Sequence, residues 1–430
     1  MDSMFWDKTI ETLGRKRLNE LQLERLNRTL ERANQSRFYG GKLPARLKSL
    51  EEVKELPFTS KKDLRSGFPD GFLAVSKEEI VRLHASSGTT GQATVVYHTK
   101  KDIENWADVV ARSMYMTGVR RGDVFQNMMG YGLFTGGLGL HYGSELLGSL
   151  TIPASSGNSK RQIRLMKDFK TTVIHTTPSY ALHLYTIFEE EGIDPREDLN
   201  LRRAFLGAEP HSEETRRKIE ELYGLDAFNS YGLSEMNGPG VAFECPLKNG
   251  MHLWEDHFLL EVIDPETGEV LEDGIEGELV LTTLLREGMP IIRYRTGDIT
   301  MVYPDICPCG RTHRRISRIK GRSDDMLIIK GVNIYPMQIE KVLMDIPQVG
   351  NNYLIEIDSV DYLDTLKVKV EVRQEIFHGS IEELESLKMQ IAEKLKDEIL
   401  IHPQVVLVEP NSLPKSEGKA VRVIDMRGRR

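Results

Sequence analysis

The chain has 430 residues, of which 40% are hydrophobic and 28% are charged, and its formal net charge is -8. This length requires two or more domains, and the composition is that of a water-soluble globular protein. The negative charge argues against a nucleic-acid-binding protein that works by neutralising phosphates, and the lack of a long apolar stretch argues against a membrane span. The first residues carry acids and no apolar run, so we expect no signal peptide and a cytoplasmic enzyme.

Regular patterns along the chain predict an α/β fold. Leucines at helical intervals between Lys8 and Asn34 predict an amphipathic helix, and the middle of the chain alternates short apolar runs with helical segments. Ser212 has the character of a helix N-cap, and Gly224 that of a helix end. The predicted strands span residues 79–85, 94–97 and 172–175, and a further helix is predicted to begin at Pro178.

The pattern changes near Gly321, which predicts a domain boundary. Beyond this point, residues 366–372 alternate between apolar and charged types, as in a strand with one solvated face. Ser380 and Glu383 form a capping box at the start of a helix, and residues 405–408 predict another strand. We therefore expect a large domain over residues 1–322 and a small domain over residues 323–430.

One stretch between two predicted strands is rich in the groups that a polyphosphate needs. Its members are Ser86, Ser87, Gly88, Thr89, Thr90 and Gly91. The glycines let the backbone approach a ligand closely, and the hydroxyls can donate hydrogen bonds to anionic oxygens. From these residues alone, a flexible hairpin turn and a phosphate-binding loop are equally good interpretations. The loop is not a Walker sequence, because no Gly-Lys-Ser/Thr closes it.

Four later segments carry groups suited to a nucleotide. They are Tyr231-Gly232-Leu233-Ser234-Glu235, Tyr294-Arg295-Thr296-Gly297-Asp298, Gly321-Arg322-Ser323-Asp324-Asp325 and Pro414-Lys415-Ser416-Glu417-Gly418-Lys419. The first offers an aromatic ring, a hydroxyl and a carboxylate, the second ends in a carboxylate suited to two sugar hydroxyls, and the last places a lysine near the C-terminus. Each segment is a weak signal alone, whereas their order and spacing together are specific.

In this order the segments resemble the adenylate-forming superfamily of acyl-CoA synthetases, luciferase-like enzymes and peptide-synthetase adenylation domains. Segments 56–59, 131–137, 254–257 and 330–336 resemble the phenylacetate–CoA ligases in particular, and the resemblance runs from Leu56 to Asp425. It implies an α/β fold with a large multi-sheet N-terminal domain and a small, mobile α+β C-terminal domain. It also implies two half-reactions. An aryl carboxylate and ATP give an acyl-adenylate and pyrophosphate, and the thiol of CoA then displaces AMP.

The resemblance also implies nucleotide-binding roles. Residues 86–91 would surround the β- and γ-phosphates, Glu235 would hold Mg²⁺, and Lys419 would contact the carboxylate and the α-phosphate during adenylation. Asp298 and Arg322 would bind the ribose. The adenine slot and its flanks would be formed by Gly207, Ala208, Glu209, Pro210, Tyr231, Gly232 and Ser234.

Three further regions follow from the same resemblance. Asp324 would be the hinge about which the small domain rotates, and Lys330 with Gly331 would reach the CoA tunnel after the rotation. The aryl-acid pocket would be lined by Tyr131, Phe134 and Gly136, since glycine leaves room for a flat ring on which aromatic side chains can pack. The simpler interpretations are a linker carboxylate at Asp324 and ordinary core aromatics in the pocket segment.

The three cysteines of the chain predict a structural zinc site. Cys307 and Cys309 form a tight knuckle, and Cys245 is followed by His252 seven positions later. Three thiolates and one imidazole are a familiar tetrahedral zinc set. His313 competes with His252 as the fourth ligand, and three scattered buried thiols would need no metal at all.

One feature departs from the family pattern, and two other functions stay open. Gly91 is followed by Gln92, whereas the family commonly has lysine there, so one positive charge facing phosphate is missing. One alternative function is a CoA-independent adenylyltransferase of the type that adenylates coenzyme F420. The other is a catalytically silent nucleotide- or acyl-binding regulatory protein, against which the retention of Glu235, Asp298 and Lys419 speaks. A homodimer is compatible with the resemblance.

Overall fold

The computed structural model describes residues 4–86, 94–323, 325–330, 332–360, 363–377, 380–414 and 420–427. Its α-helices are α1 (Lys8–Glu11), α2 (Arg15–Ala33), α3 (Lys61–Ser66), α4 (Lys100–Met116), α5 (Gly136–Leu147), α6 (Ser159–Asp168), α7 (Pro178–Glu190), α8 (Pro195–Asp198), α9 (Glu213–Tyr223), α10 (Pro336–Met344), α11 (Gln374–Phe377) and α12 (Ile381–Ile399). Short 3₁₀ helices span Leu50–Glu55, Lys77–Glu79 and Ser234–Met236. In these parts of the chain, no helix is at once long and apolar enough to cross a membrane.

The strands fall into several sheets. They are β1 (Ile80–Ala85), β2 (Val95–Thr99), β3 (Val124–Asn127), β4 (Leu150–Ile152), β5 (Val173–Thr176), β6 (Arg203–Gly207), β7 (Asp226–Leu233), β8 (Gly238–Glu244), β9 (Met251–Leu253), β10 (Phe258–Ile263), β11 (Gly277–Thr283), β12 (Tyr294–Thr300), β13 (Arg315–Ile316), β14 (Gly321–Arg322), β15 (Leu327–Ile329), β16 (Val332–Ile334), β17 (Val349–Val360), β18 (Leu363–Val372), β19 (Gln404–Val408) and β20 (Val423–Asp425).

The largest sheet has eight strands in the order β13-β9-β8-β7-β6-β5-β3-β4. Strands β3 to β7 pair in parallel, while β8, β9 and β13 pair antiparallel. Helices cover the parallel part on both faces, and β5 is accordingly buried along its whole length. Strands β3, β5, β6 and β7 all end at one edge, which is where ligands bind in open α/β sheets.

A second sheet of four strands, ordered β10-β11-β12-β14, lies beside the first. Its register places Asp298 of β12 opposite Arg322 of β14. The hairpin of β1 and β2 is a separate antiparallel pair, in which Ala85 faces Val95. The predicted strands on both sides of residues 86–91 are thus confirmed.

The elements from Leu327 to Asp425 form the small domain. A four-stranded sheet, ordered β19-β18-β17-β20, packs against α10 and α12. Side chains Leu387, Ile391 and Leu395 are buried on one face of α12, and the capping box of Ser380 and Glu383 is formed as predicted. The predicted α/β class, with a large and a small domain, is confirmed.

The predicted ends of one helix are confirmed, whereas a helix predicted near the N-terminus is divided in two. Ser212 caps α9 by accepting a hydrogen bond from the backbone of Thr215, and Gly224 ends the helix in the left-handed conformation, both as predicted. The single helix predicted over residues 8–34 is instead split into α1 and α2. The break follows Glu11, whose carboxylate turns inward to a buried ion pair with Arg311 at 2.6 Å.

Candidate active site

Tyr231 and Asp298 join the two sheets of the large domain. Tyr231 lies near the carboxyl end of β7, and its hydroxyl donates a 2.5 Å hydrogen bond to Oδ2 of Asp298 on β12. Burial, and then the neighbouring Asp298 carboxylate, raises the pKa of Tyr231 well above its ordinary value. The phenol is therefore a neutral donor that fixes the orientation of the carboxylate.

Arg322 completes this group from the neighbouring strand. Its Nη1 lies 3.4 Å from Oδ1 of Asp298 and donates to the carbonyl of Thr296 at 3.1 Å. Gly232, next to Tyr231, lies at an irregular pairing of β7 and β8, and an added Cβ there would come within 2.1 Å of the Gly238 carbonyl oxygen. Only glycine fits at this point, so the backbone after Tyr231 is held close to β8.

Glu235 lies just beyond β7 in a 3₁₀ helix and is buried, with 6% of its surface exposed. Its backbone carbonyl accepts a short hydrogen bond from Nη1 of Arg286, which is itself buried. Burial lowers the pKa of Arg286 to about 10, against the opposing effect of the Asp102 and Glu235 carboxylates, so the guanidinium stays charged at neutral pH. Burial and the nearby Glu235 carboxylate also raise the pKa of Tyr294.

The segment after β6 brings Glu209 to the same sheet edge. Ala208 has a positive φ of 66°, and a Cβ at Gly207 would lie 2.6 Å from Oγ of Ser230. The Glu209 carboxylate accepts hydrogen bonds from Oγ of Ser179 at 2.9 Å and from the backbone N of Ala420 at 2.6 Å. Burial raises the pKa of Glu209, although these donors oppose the shift. Pro210 follows as an exposed residue.

Two hydroxyls of the predicted nucleotide site also have defined partners. The backbone N of Ser86 donates to the carbonyl of Thr94 at 3.0 Å, and the two side-chain hydroxyls share a short hydrogen bond. These contacts close the base of the predicted phosphate loop, whose members 87–91 lie outside the described residues. Oγ of Ser234 lies 3.1 Å from Oγ1 of Thr135, immediately before α5.

The predicted aryl-acid segment lies beyond β3 at the same edge. The Tyr131 hydroxyl accepts from Nδ2 of Asn127 at 3.0 Å and lies 3.2 Å from Nδ1 of His141. Burial raises the pKa of Tyr131 to about 12. A Cβ at Gly136 would come within 2.3 Å of the Phe134 ring, so this close ring–backbone contact requires glycine.

The remaining predicted residues are placed only in part. Lys330 is exposed at the turn between β15 and β16 and has a positive φ of 50°. The predicted hinge Asp324, its CoA-region companion Gly331 and the predicted catalytic Lys419 lie outside the described residues.

The cysteines and one histidine form a compact cluster away from this edge. The ligand atoms of Cys245, His252, Cys307 and Cys309 all lie within 4.8 Å of one another. Sγ of Cys245 is 3.8 Å from Sγ of Cys307, and Sγ of Cys309 is 3.2 Å from Nε2 of His252. All three thiols are free.

The structure separates the two candidate histidines. Nδ1 of His252 donates to the carbonyl of His313 at 3.0 Å, which leaves Nε2 directed at the sulfurs. Nδ1 of His313 instead accepts from the backbone N of Glu255 at 2.9 Å, and its Nε2 donates to the carbonyl of Ile10 at 3.0 Å. Both nitrogens of His313 are thus occupied, and His252 is the member of the cluster.

Several residues near the sheet edge were not predicted from the sequence. They are Asn127, Thr135, His141, Arg286 and Tyr294. Tyr294 could have been found, since it lies four positions before Asp298 on one strand and therefore on the same face. Arg286 gave no such signal, because its contact is to a backbone carbonyl 51 positions away.

Comparison with known proteins shows the family to which the chain belongs. The profile of the AMP-binding enzyme family matches residues 28–284, and that of the AMP-binding enzyme C-terminal domain matches residues 331–427. The phenylacetate–coenzyme A ligase of Thermus thermophilus is 46% identical over 99% of this chain and 100% of its own length. The ligase of the same name from Pseudomonas putida is 47% identical over 97% of this chain and 96% of its own.

A solved structure resembles the whole chain. It is 2-hydroxyisobutyryl-CoA ligase in a postadenylation state, with a TM-score of 0.94, 30% identity and coverage of 99% of this chain and 93% of that one. The same ligase in its thioesterification state has a TM-score of only 0.73, at 31% identity and the same coverage. The whole chain is thus more similar to that ligase in its postadenylation state than in its thioesterification state. The relatives favour neither of the two alternative functions, and the chain belongs to the AMP-binding, adenylate-forming enzymes, in the phenylacetate–CoA ligase branch, as an AMP-forming acid–thiol ligase.

Proposed function

We propose that this enzyme converts a phenylacetate-like aryl acid into its CoA thioester. An oxygen of the carboxylate attacks the α-phosphorus of ATP, a new P–O bond forms, and the bond to pyrophosphate breaks. The sulfur of CoA then attacks the acyl carbon of the adenylate, loses its proton, and AMP leaves. Full-length similarity to phenylacetate–coenzyme A ligases supports the choice of an aryl acid.

The group around Tyr231 is proposed to bind the nucleoside. The Tyr231 ring and the backbone of residues 207–210 would enclose the adenine, with Gly232 and Ser234 holding the adjoining turn. Asp298 would accept hydrogen bonds from the ribose hydroxyls, and Arg322 would support it. The supporting observation is that Tyr231 and Arg322 both contact the Asp298 carboxylate and fix its orientation. A preset acceptor costs less to order when the ribose binds.

Three groups are proposed to bind the phosphates or to offset their negative charge. Glu235 would hold Mg²⁺, since a buried carboxylate is a suitable oxygen ligand, and the metal would neutralise phosphate charge. Residues 86–91 would donate neutral hydrogen bonds to the phosphates. Arg286 holds the Glu235 backbone in place and adds a fixed positive charge behind it.

The aryl ring is proposed to bind beside Tyr131, Phe134 and Gly136. Asn127 and His141 hold the Tyr131 hydroxyl, so its ring is fixed at one wall of the pocket. A ring fixed in this way can pack on the face or edge of a flat substrate at little entropic cost.

The observation that carries the proposal is the contact between Ala420 and Glu209. The backbone N of Ala420 donates to the Glu209 carboxylate at 2.6 Å, which brings the residue after Lys419 to the predicted adenine segment. We propose Lys419 as the catalytic lysine of adenylation, a domain boundary between Arg322 and Ser323, and Asp324 as the hinge. After rotation, Lys330 and Gly331 would face the CoA thiol.

The test is a substrate screen of the purified enzyme with phenylacetate, hydroxyphenylacetate, indoleacetate and benzoate. We expect AMP formation that requires both an aryl acid and CoA, together with thioester product. Reactions without CoA and without acid are the controls. Pyrophosphate release without thioester for every acid would support the CoA-independent adenylyltransferase instead, and absence of ATP–pyrophosphate exchange with all four would support the silent regulatory protein.

We also propose that the cysteine cluster holds one structural zinc ion through Cys245, His252, Cys307 and Cys309. Two thiolates about 2.3 Å from a tetrahedral zinc lie about 3.8 Å apart, which matches the separation of Cys245 and Cys307. The hydrogen bond from His252 to the His313 carbonyl selects the tautomer that a ligating Nε2 requires. Bound zinc would join the loop before β13 to the end of β8.

We also propose a cellular location and an oligomeric state. We place the enzyme in the cytoplasm, where ATP and CoA are available, and cell fractionation tests this placement. By resemblance to its family we propose a homodimer, which light scattering coupled to size-exclusion chromatography tests by the measured mass.

A further inference from the structure

A buried carboxylate of the small domain caps a helix of the large domain. Glu340 lies on α10 with 9% of its surface exposed. Its Oε1 accepts from the backbone N of Ser212 at 3.1 Å and from Oγ1 of Thr215 at 2.6 Å. Its Oε2 accepts from the hydroxyl of Tyr353, also in the small domain, at 2.8 Å. The two carboxylate oxygens thus face different domains.

The chemistry of this contact is that of an anion at a helix N-terminus. Ser212 is the N-cap of α9, and the first N–H groups of a helix have no partner within it. A carboxylate there accepts such a hydrogen bond and interacts favourably with the helix dipole. Among the ion pairs of the described residues none involves Glu340, so its carboxylate is held by hydrogen bonds from Ser212, Thr215 and Tyr353.

A second polar contact lies further along the same helix. Nζ of Lys218 donates to the carbonyl of Gly350 at 2.9 Å and to that of Val349 at 3.3 Å, at the start of β17. Ile219 of α9 and Leu343 of α10 belong to one buried cluster. The small domain therefore meets α9 through apolar side chains and through two separate polar contacts.

Rotation of the small domain would break the contacts of Glu340 with α9 and keep its contact with Tyr353. Tyr353 moves with Glu340, whereas Ser212 and Thr215 stay with the large domain. The chain resembles the postadenylation arrangement of 2-hydroxyisobutyryl-CoA ligase, with a TM-score of 0.94, more than the thioesterification arrangement, with 0.73. The contact of Glu340 with α9 thus occurs in an arrangement that resembles the postadenylation one.

We propose that Glu340 is a positioning residue that holds the small domain in the adenylation arrangement by capping α9. Its capping contact is made only while the small domain is docked in this way, so it favours acyl-adenylate formation over thioester formation. The inference rests on the proposed two-step function. A residue that only stabilised the fold would affect both half-reactions alike.

The test compares Glu340→Gln with wild type in each half-reaction. The variant keeps the size of the side chain and removes its charge. We expect ATP–pyrophosphate exchange to fall about tenfold, as for loss of a charged buried contact, while thioester formation from supplied phenylacetyl-adenylate and CoA stays within about twofold. The matched control is Glu398→Gln on α12, whose carboxylate pairs with Lys341 inside the small domain at 3.0 Å. Equal loss in both half-reactions, or no loss in either, would overturn the inference.

A second variant keeps the inference testable if Glu340→Gln does not fold. A second measurement, which needs no catalysis, keeps it testable if the proposed function is wrong. Thr215→Val removes one cross-domain hydrogen bond and leaves the small domain unchanged, so it should shift the ratio of the half-reactions in the same direction.

Hydrogen–deuterium exchange of residues 212–218 needs no turnover. It should be faster in Glu340→Gln than in wild type or Glu398→Gln. Unchanged exchange would contradict docking by Glu340 even if the enzyme made acyl-CoA, whereas faster exchange in an enzyme without ligase activity would leave the contact supported and the proposed function wrong.

Discussion

The hydroxyl of Tyr231, near the carboxyl end of β7 in the eight-stranded sheet, donates a 2.5 Å hydrogen bond to Asp298 on β12 of the four-stranded sheet. The proposed adenine platform and the proposed ribose acceptor are therefore coupled through one bond. Arg322 approaches the other oxygen of the same carboxylate. A substitution at either Tyr231 or Asp298 should consequently affect the whole nucleoside site.

Asp298→Asn should weaken the use of ATP more than Tyr231→Phe does. The first change removes a charged acceptor and should lower kcat/KM for ATP in ATP–pyrophosphate exchange by about 10- to 100-fold. The second removes only the orienting phenol and should cost about tenfold or less. Asp273→Asn, at an exposed carboxylate paired with Arg314, is the control. An Asp298→Asn enzyme with wild-type kcat/KM for ATP would rule out the ribose role.

Lys419→Ala should impair adenylation and spare thioester formation, because we propose that Lys419 acts only in adenylation. Loss of a charge aimed at the reacting phosphate should reduce adenylation by about 100-fold or more. Thioester formation from supplied phenylacetyl-adenylate should be largely preserved. Lys415→Ala, four residues earlier in the same segment, should leave both half-reactions nearly unchanged. Comparable loss of both steps in Lys419→Ala would argue against rotation of the small domain between them.

The sequence was most informative where the signal is local. The cap at Ser212 and the end at Gly224 follow from the residue types that satisfy helix ends, and both are present in α9. The strand of residues 366–372 follows from alternation of apolar and charged residues. Tyr231, Glu235 and Asp298 were predicted because the order of their short segments resembles a known family, and the structure places Tyr231 and Asp298 in contact.

Contacts between distant segments could not be predicted in this way. The bond from Ser212 to Glu340 joins residues 128 positions apart, and neither residue type alone points to the other. The choice between His252 and His313 depends on the pairing of β9 with β13, which sets His252 opposite Arg315. Only the tertiary structure shows that His313 uses both ring nitrogens elsewhere.

Zinc removal should destabilise the large domain. We expect about one zinc per chain in metal analysis, and three thiols that react with a thiol reagent only after treatment with a chelator. Cys309→Ser should lower the zinc content and the thermal unfolding midpoint. His313→Gln, next to the cluster but outside the ligand set, should retain zinc. Purified protein without zinc and with three freely reactive thiols would remove the proposal.

Acid should destabilise the fold partly through His175. Burial lowers the pKa of His175 from 6.5 to about 3, and its Nδ1–H donates to Oδ1 of Asn127 at 3.0 Å. As the pH falls from 6.5 towards 3, the unfolded chain binds a proton that the folded chain does not. The free energy of unfolding should therefore decrease with falling pH, by up to about 1.4 kcal/mol per pH unit for this group.

Urea unfolding at pH 7.5 and pH 5.5 measures this contribution. His175→Gln should be less stable than wild type at pH 7.5, because a buried hydrogen bond is altered, yet should lose less stability on acidification. The variant keeps the contributions of His98 and His211, whose pKa values burial also lowers, so the pH dependence should become weaker and not vanish. His402→Gln, at an exposed histidine, should keep the wild-type dependence. If His175→Gln lost as much stability as wild type between the two pH values, His175 would not be the buried neutral group that the structure indicates.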